Sequence, residues 1–356
     1  LCARMGVLAE EPSYRLPDEA GVINVTKPPY NADYTGKTDC SDAIQKAFSF
    51  ANETTNRFST KDERAIKILY FPAGTYLITK PLDFSYRGEK RRVQNPGFMM
   101  IYGESKERSR IRLAPDSPMF QDRPRPVIAF TTSKSSNNSN HNSVRNITLE
   151  IGENNPGAIG FHFVSSNIGS IDNVVCRNLD ANRPAHTGIS LPVSKGGLSY
   201  LTNIRIEGFK TGIYVSGKFP GYTFENISLD NQHEAGIVHQ GKNIAVRKLV
   251  SRNKVPALVA RGEGSITTLL DSELYGESDG PAIVAEGHLL LRNIQSQGYG
   301  EVLDGKDLKT TNGHLSEYCS HTLSLFDDTP STTLNLEIKD TPDYPFPKPH
   351  EWTVFD

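Results

Sequence analysis

The sequence has few of the residues that form metal clusters and no segment suited to crossing a membrane. Its four cysteines have no CxxC spacing and its nine histidines form no HExxH pair, so a zinc site is not expected. No apolar run approaches the roughly 18 residues that a transmembrane helix needs. Basic and acidic residues number 39 and 41, and this balance gives no reason to expect nucleic acid or an anionic membrane as a partner.

What the chain has is an internal repeat of about 22 to 25 residues between Val144 and Gly300. One recurring unit is a small residue before an alternating strand, at Gly188, Gly212, Gly236, Ala257 and Ala282. The other unit is an apolar residue, a polar residue and then Asn or Asp, ending at Asn146, Asn173, Asn203, Asn226, Asp271 and Asn293, with Leu270 in the polar position before Asp271. This period, with short β-branched strands, predicts a β-solenoid in which each coil buries its inner face against its neighbours.

Both units are predicted to have structural roles. Helical solenoids need longer repeats, and leucine-rich repeats need a leucine consensus that this chain lacks. Asn and Asp tolerate the left-handed backbone of a turn, and stacked amides can hydrogen-bond from coil to coil. The Asn column is therefore predicted to be structural and not catalytic. The aliphatic residues that follow the small residues are predicted to form one inward-pointing stack of Ile189, Ile213, Ile237, Leu258 and Ile283.

The N-terminal third is organised differently. Residues 33–47 indicate a polar glycine turn followed by a short amphipathic helix, with Asp39 or Ser41 placed to cap its free amide groups. Residues 68–78 then indicate a strand, a Pro-Gly corner and a second strand. A helix across the first coil would cover the open end of the solenoid, which otherwise exposes strand edges and apolar core.

These segments resemble the N-terminal part of the right-handed parallel β-helices of the pectate-lyase superfamily. Residues 35–47 (TGKTDCSDAIQKA) are similar to its GDGxTDDTxAIQxAI helix, and residues 69–79 (LYFPAGTYLIT) to its YFPxGxY strand. The chain departs from the pattern at residues 32–34, where Ala-Asp-Tyr replaces Gly-Asp-Gly, and at Cys40-Ser41, which replaces Asp-Thr.

A second resemblance extends further along the chain. Residues 154–160, 169–174 and 206–213 are similar to the first β-helix of bacterial proteins that resemble glycoside hydrolase family 55. Together the resemblances cover roughly residues 20 to 300. They imply an all-β fold, a right-handed parallel β-helix of about ten coils with an N-terminal capping helix. They identify a scaffold and not a reaction, because fold alone does not fix function.

The resemblance to family 55 also implies a second β-helix, because members of that family usually have two, with the sugar cleft between them. Residues 345–352 form a Pro-rich stretch of the kind that links domains. The expected organisation is an N-terminal extension at residues 1–20, a β-helix at 21–340 and a tail or linker at 341–356 that leads to the second β-helix. Alternatively, residues 326–338 pair as terminal strands and complete the chain.

Residues one period apart lie about 4.8 Å apart on stacked coils and can form polar stripes on the surface. Two stripes mix acids, bases and amides as a polysaccharide cleft would. The first comprises Gln232, His233, Glu234, Lys254, Glu277 and Asp279, and the second comprises Ser216, Gln240, Arg261 and Glu286, with His239 adjacent. The alternative is structural, because charges on stacked turns commonly form solvated ion pairs.

Acid-catalysed glycosidic cleavage requires two carboxylates about 5 to 9.5 Å apart, one with a pKa raised by burial. Glu234 with Asp279, two coils apart, is predicted to meet this distance, and Glu286 is the alternative acid. The three carboxylates of the first stripe should raise one pKa by mutual repulsion. We therefore predict that the first stripe, rather than the second, faces a sugar groove. Tyr275 and Tyr299 are added as substrate-binding candidates, because sugar faces stack on aromatic rings.

Three functions stay open. The favoured one is a glycoside hydrolase, or the N-terminal half of one, that degrades a glucan- or pectin-type polysaccharide without a cofactor. The second is a lyase, which would use Arg252, Lys254 or Arg261 as base beside a uronate and would commonly add calcium. The third is a non-catalytic carbohydrate-binding solenoid. All three imply a polysaccharide or oligosaccharide partner and a secreted, periplasmic or cell-surface location, and they leave open a second β-helix domain or a homo-oligomer.

Overall fold

The computed structural model describes residues 13–19, 21–54, 67–85, 97–130, 139–193, 198–217, 221–241, 243–262, 264–305, 309–320, 323–324 and 330–331. The expected tail at 341–356 lies outside these residues, as do most of the expected N-terminal extension at 1–20 and most of the alternative terminal strands at 326–338.

The described residues form one α-helix and a series of short and bent strands. The helix α1 spans Ser41–Thr54. The strands are β1 Val22–Asn24, β2 Lys67–Phe71, β3 Gly74–Ile78, β4 Leu82–Asp83, β5 Met99–Gly103, β6 Ser109–Leu113, β7 Arg125–Ala129, β8 Ser143–Ile151, β9 Ala158–His162, β10 Gly169–Asn178, β11 Ala185–Val193, β12 Ser199–Glu207, β13 Phe209–Gly217, β14 Tyr222–Asp230, β15 Ala235–Gln240, β16 Asn243–Arg252, β17 Leu258–Ala260, β18 Ile266–Ala285, β19 His288–Gly305, β20 Lys309–Cys319, β21 Leu323–Ser324 and β22 Pro330–Ser331.

Each coil has three faces, and strands of one face pair in parallel with the coils before and after. The first face holds β1, β2, β5 and the first halves of β8, β10, β12, β14, β16, β18 and β19. The second face holds β3, β6 and the second halves of the long strands. The third face holds β4, β7, β9, β11, β13, β15, β17 and the ends of β18 and β19. Ten parallel first-face strands confirm the predicted parallel β-helix, and β20 pairs antiparallel with β19 at its end.

The Asn column forms the corner between the first and second faces. Six of its positions have a left-handed backbone with φ near +50°, namely Asn146, Asn173, Asn203, Asn226, Asp271 and Asn293. The side-chain amide of Asn226 donates to Oδ1 of Asn203 over 3.3 Å, and that of Asn173 donates to Oδ1 of Asn146 over 2.9 Å. Lys248 takes the corner in one coil. The column therefore bends the strands and links the coils, as predicted.

The predicted aliphatic stack lies in the core of the third face. Its five members are fully buried and pair in register from coil to coil: Ile189, Ile213, Ile237, Leu258 and Ile283. The preceding residue must be small because the coils approach closely there. A Cβ on Gly212 would lie 2.6 Å from the carbonyl oxygen of Gly236.

The helix α1 covers the N-terminal end of the stack, as the sequence predicts. Asp39 accepts a hydrogen bond from the backbone N–H of Ser41, the first helical residue, over 2.9 Å. The buried ring of Phe48 packs into the core. Gln45 pairs with the backbone of Asp83 in both directions, each bond being 2.8 Å long. These bonds satisfy backbone groups at the short strand β4, which an uncovered end would leave open.

Candidate functional site

A groove of about 980 Å³ crosses the corner between the second and third faces. Its depth comes from unequal turn lengths. The turn between β12 and β13 is the single residue Gly208, which has φ +76°. The turn one coil earlier, residues 179–184, has six residues, and the turns that follow, 231–234 and 253–257, have four and five. The short turn is therefore low, and the groove lies between a wall at residues 179–184 and a C-terminal wall that begins at residues 253–257, three coils or roughly 14 Å further along.

The floor and the side chains beside it occupy fixed positions after the Asn corner. Five residues after the corner, successive coils contribute the floor residues Asn178, Gly208, Asn231, Asn253 and Gly276. The residue before each belongs to a column in register on the second face, formed by Arg177, Glu207, Asp230, Arg252 and Tyr275. The groove is therefore part of the same repeat that builds the core.

The wall at residues 179–184 is held by hydrogen bonds to neighbouring coils. The side-chain amide of Asn178 donates to the carbonyl oxygen of Arg183 over 2.7 Å and to that of Gly208 over 3.1 Å. The side chain of Leu179 is 40% exposed and adds an apolar surface to the wall. Because the wall is tied to the floor, the width of the groove is fixed by the backbone.

The cations of the groove are paired with carboxylates of the same chain. Each of the three cationic side chains in the lining has a partner at short range: Arg177 with Glu150 at 3.1 Å, Arg252 with Asp230 at 3.6 Å, and Lys254 with Glu277 at 2.8 Å. Burial alone would raise the pKa of Glu150, but hydrogen bonds from Arg177 and Arg112 hold it below its ordinary value. Little unbalanced positive charge is left to attract an anionic ligand.

Two carboxyl groups of the lining are kept ionised. The hydrogen bond from Lys254 lowers the pKa of Glu277. Backbone hydrogen bonds, first that from Asn154, lower the pKa of Asp180. By contrast, burial raises the pKa of Asp83, which lies beneath α1 and outside the groove. An ionised carboxylate accepts hydrogen bonds from ligand hydroxyls, whereas a general acid needs a raised pKa.

The first predicted stripe divides at the groove. Gln232, His233, Lys254 and Glu277 belong to the lining, as does the predicted Tyr275, whereas Glu234 and Asp279 do not. The side chain of Glu234 is 62% exposed and lies 3.9 Å from Nζ of Lys210. Glu234 therefore lacks the burial that a general acid requires.

The second predicted stripe lies at the other end of the third-face strands. Glu286 accepts a hydrogen bond from the backbone N–H of Gly262 over 3.0 Å, and Gln240 accepts one from Tyr214 over 2.9 Å. Arg261 is exposed beside them. A strand of six residues, β15, separates this stripe from the groove. The structure does not bring Glu286 together with the acids of the first stripe.

Two predicted substrate-binding residues are buried beneath the floor. Gln232 is 3% exposed, and its amide donates to the carbonyl oxygens of Ile206 and Asp230 at 3.1 and 3.0 Å. Tyr299 is 1% exposed, and its hydroxyl is bonded to backbone carbonyl oxygens. Neither side chain is open to a ligand. Both positions are near turns in the sequence, but the direction of a turn side chain is decided by the coil beneath it.

Several groove residues were not predicted from the sequence as site residues, among them Arg177, Asp180 and Glu207. Their signal is the distance from the Asn corner: Arg177 and Glu207 each lie four residues after it. Residues four positions after each corner form this column, and their distance from the small residue does not reveal it.

Within the described ranges, no group of three or more His, Cys, Asp or Glu side chains is arranged to hold a metal ion. No helix in that part of the chain is long and apolar enough to cross a membrane.

Solved structures of low sequence identity share the fold. The ORF18 protein of Geobacillus virus E2 matches with a TM-score of 0.54 at 13% identity, over 81% of this chain and 59% of that one. DFA-IIIase from Arthrobacter chlorophenolicus A6 matches with a TM-score of 0.54 at 10% identity, over 78% of this chain and 68% of that one. At these identities the likeness concerns the fold alone.

A curated relative adds a sequence relationship. Glucan 1,3-beta-glucosidase of Cochliobolus carbonum is 25% identical over 202 residues, which are 56% of this chain and 24% of the relative. The chain thus spans about a quarter of the length of that relative. Residues 22–257, more than half of the chain, match the family described as rhamnogalacturonase A/epimerase, pectate lyase-like, and the chain belongs to this family.

Proposed function

We propose that this chain is the sugar-binding β-helix of a glycoside hydrolase that acts on an uncharged polysaccharide, such as a glucan. The observation that carries the proposal is the groove at the Gly208 turn. Its volume is that of a ligand site. Its lining combines charged groups with the partly exposed aliphatic side chain of Leu179. The two walls lie on different coils. A sugar chain bound between them would therefore run parallel to the strands, over the corner at Gly208.

The charge pairing supports an uncharged ligand. A uronate carboxylate would need a cation free of its own carboxylate, whereas Arg177, Arg252 and Lys254 each have one within 3.6 Å. Sugar hydroxyls both donate and accept, and they can use the remaining lone pairs and N–H groups of these pairs without separating them. A lyase, which needs an unpaired base and a neutralised uronate, is less well supported.

The hydrolytic reaction is proposed from the relationship to glucan 1,3-beta-glucosidase, which covers a quarter of that enzyme. Within the groove, Glu277 and Asp180 have lowered pKa values, so we assign these two acids to binding and not to proton donation. Glu234, Asp279 and Glu286 all lie outside the groove lining, and Glu234 is exposed, so this proposal places cleavage on a second β-helix, with Glu234 and Glu286 as the candidates of this chain to be tested by mutation. A secreted, periplasmic or cell-surface location follows from a polysaccharide substrate.

Binding can be tested on the whole chain by calorimetry with a neutral β-1,3-gluco-oligosaccharide and, separately, with an oligogalacturonate. We expect the neutral sugar to bind and the uronate not to bind. The double variant Lys254→Met/Glu277→Gln should weaken binding of the neutral sugar about tenfold, because charged groups make the stronger hydrogen bonds. The matched control Arg261→Met/Glu286→Gln removes a cation and an acid from the second stripe and should not change the affinity. Absence of binding, or an equal loss in both double variants, would refute the proposal.

Catalysis needs its own measurement. New reducing ends from the glucan indicate hydrolysis, whereas unsaturated ends that absorb in the ultraviolet, from a uronate polymer, indicate the lyase. If Glu234 is the general acid, Glu234→Gln should lower turnover at least about a hundredfold and leave oligosaccharide affinity unchanged. Near-normal turnover in this variant would exclude Glu234 and leave Glu286 or a second domain. Binding without either product would indicate a non-catalytic module.

A further inference from the structure

One buried phenol contacts both segments of the C-terminal wall of the groove, the turn at 253–255 and the bend of β18 at Gly276. The hydroxyl of Tyr299 lies 3.0 Å from the carbonyl oxygen of Asn253 and 3.0 Å from that of Val255. A phenol has a single proton to donate, so this proton is shared between the two carbonyls. The residue between them is Lys254, whose Nζ pairs with Glu277 in the groove.

The ring of Tyr299 also packs against the bend of β18 at Gly276. A Cβ built on Gly276 would lie 2.6 Å from the ring carbon that carries the hydroxyl, so the ring packs directly against the Gly276 backbone. Glu277 follows Gly276 in the chain. The same side chain therefore contacts the turn that presents the lysine and the turn that presents its carboxylate, and only glycine leaves room for it.

The contact extends to the floor through Asn253. The side-chain oxygen of Asn253 accepts a hydrogen bond from the backbone N–H of Gln232 over 2.6 Å, and its amide donates to Ser251 over 2.7 Å. Gln232 precedes His233, which belongs to the groove lining. Tyr299 thus supports the groove from His233 to Glu277, across three coils, while remaining 1% exposed itself.

We propose that Tyr299 is the positioning residue of the groove, whose shared hydroxyl bond fixes the Asn253–Val255 turn and so holds Lys254 against Glu277 in the geometry that binds the ligand. The proposal rests on the function proposed above for the same groove. Burial raises the pKa of Tyr299 to about 12, which keeps its hydroxyl protonated and able to donate at physiological pH.

The test replaces only the hydroxyl. Tyr299→Phe keeps the ring against Gly276 but removes the hydroxyl bond to the turn, and we expect affinity for the neutral β-1,3-gluco-oligosaccharide to fall about three- to tenfold, the value of one ordinary hydrogen bond. Tyr222→Phe is the matched control, because the hydroxyl of Tyr222 is also buried but has no hydrogen-bond partner among the described residues. It should bind as the wild type does. Wild-type affinity in Tyr299→Phe would overturn the proposal.

A double-mutant cycle separates positioning from plain stability. If Tyr299 acts through the Lys254 turn, Tyr299→Phe should not weaken binding further in a Lys254→Met background, although it should still lower the unfolding temperature. Additive losses of affinity would overturn the proposal. If the wild type binds no oligosaccharide, the proposed function fails, and an NMR titration of the Lys254 side chain still decides the role of Tyr299. In that titration the pKa of Lys254, raised by its bond to Glu277, should fall in Tyr299→Phe and stay unchanged in Tyr222→Phe; an unchanged value in both would overturn it.

Discussion

Arg252 lies over the ring of Tyr275, with its guanidinium carbon 5.4 Å from the ring centroid. The two residues are partners in register on adjacent coils. The hydroxyl of Tyr275 donates to Glu273 over 2.6 Å. One face of the ring that the sequence suggested as a sugar platform is thus occupied by a cation of the chain. A sugar on that face would have to displace Arg252, which also pairs with Asp230.

Tyr275→Leu tests this arrangement. The variant removes the ring but keeps an apolar side chain, so it loses the cation–π contact and the exposed hydroxyl bond to Glu273. We expect oligosaccharide affinity to fall about two- to fivefold, the value of an exposed cation–π contact. The measurement is calorimetric, with Tyr222→Phe as the unchanged reference. A loss near a hundredfold would mean that the ring itself binds sugar.

Glu277→Gln tests whether the groove selects an uncharged ligand because each of its cations is paired with a carboxylate of the same chain. Without the Glu277 carboxylate, Lys254 becomes a free cation in the groove. We therefore expect the variant to gain measurable affinity for an oligogalacturonate, and this affinity should weaken with added salt. Glu286→Gln, an exposed acid outside the groove, serves as control. Uronate binding by the wild type, or none by Glu277→Gln, would contradict the charge argument.

Ile237→Ala tests the core stack. Ile237 is fully buried and pairs in register with Ile213 and Leu258. Truncation leaves a cavity that the stacked coils cannot close, so the free energy of unfolding should fall by about 2 to 5 kcal/mol. Ile266→Ala, at a side chain that is 44% exposed, should change it by less than about 0.5 kcal/mol. Equal effects in urea unfolding would show that the stack does not hold the fold.

Asn226 tests the corner column. Its backbone has φ +54°, and its amide donates to Asn203. Asn226→Ala loses this bond and puts at the corner a residue that tolerates the left-handed backbone less well than Asn, so it should cost about 1 to 2 kcal/mol of stability. Asn226→Gly relieves the strain and should cost less, which separates the two contributions. Ligand affinity should stay unchanged in both, and a loss of affinity at an unchanged melting temperature would show that the column binds ligand.

The burial of His239 predicts that the folded protein loses stability in acid. It is fully buried, with Nδ1 2.9 Å from Oγ1 of Thr267, and burial lowers its pKa from 6.5 to about 4. The unfolded chain therefore takes up the proton first as the pH falls. The contribution of neutral His239 to the free energy of unfolding is complete above about pH 6.5. It is lost as the pH falls to about 4, a total of about 3 kcal/mol.

The measurement compares urea unfolding at pH 7 and pH 4. His239→Leu changes packing at every pH but removes the titration, so its stability should fall less between the two values than that of the wild type. His233→Gln removes an exposed histidine of the groove and serves as the matched control. The same acid loss in His239→Leu and wild type would rule out His239 as its source.

The sequence by itself determined the repeat, the buried stack and the corners. Each coil repeats the same short-range requirements: a small residue where backbones approach, as at Gly212, an aliphatic residue that points inward, as at Ile213, and an Asn that accepts a positive φ, as at Asn203. These requirements act within a few residues and recur in phase. They can therefore be read without knowing which coils are neighbours.

Only the tertiary structure decided where a groove lies and which side chains reach it. The floor exists because the one-residue turn at Gly208 lies between turns of six and four residues on adjacent coils. The heights of these turns can be compared only once the coils are stacked. The directions of Gln232 and Tyr299 were decided in the same way. Both lie near turns in the sequence, but the amide N–H groups of Gln232 and the hydroxyl of Tyr299 find backbone carbonyl acceptors beneath the surface, and a buried donor is stable with such a partner.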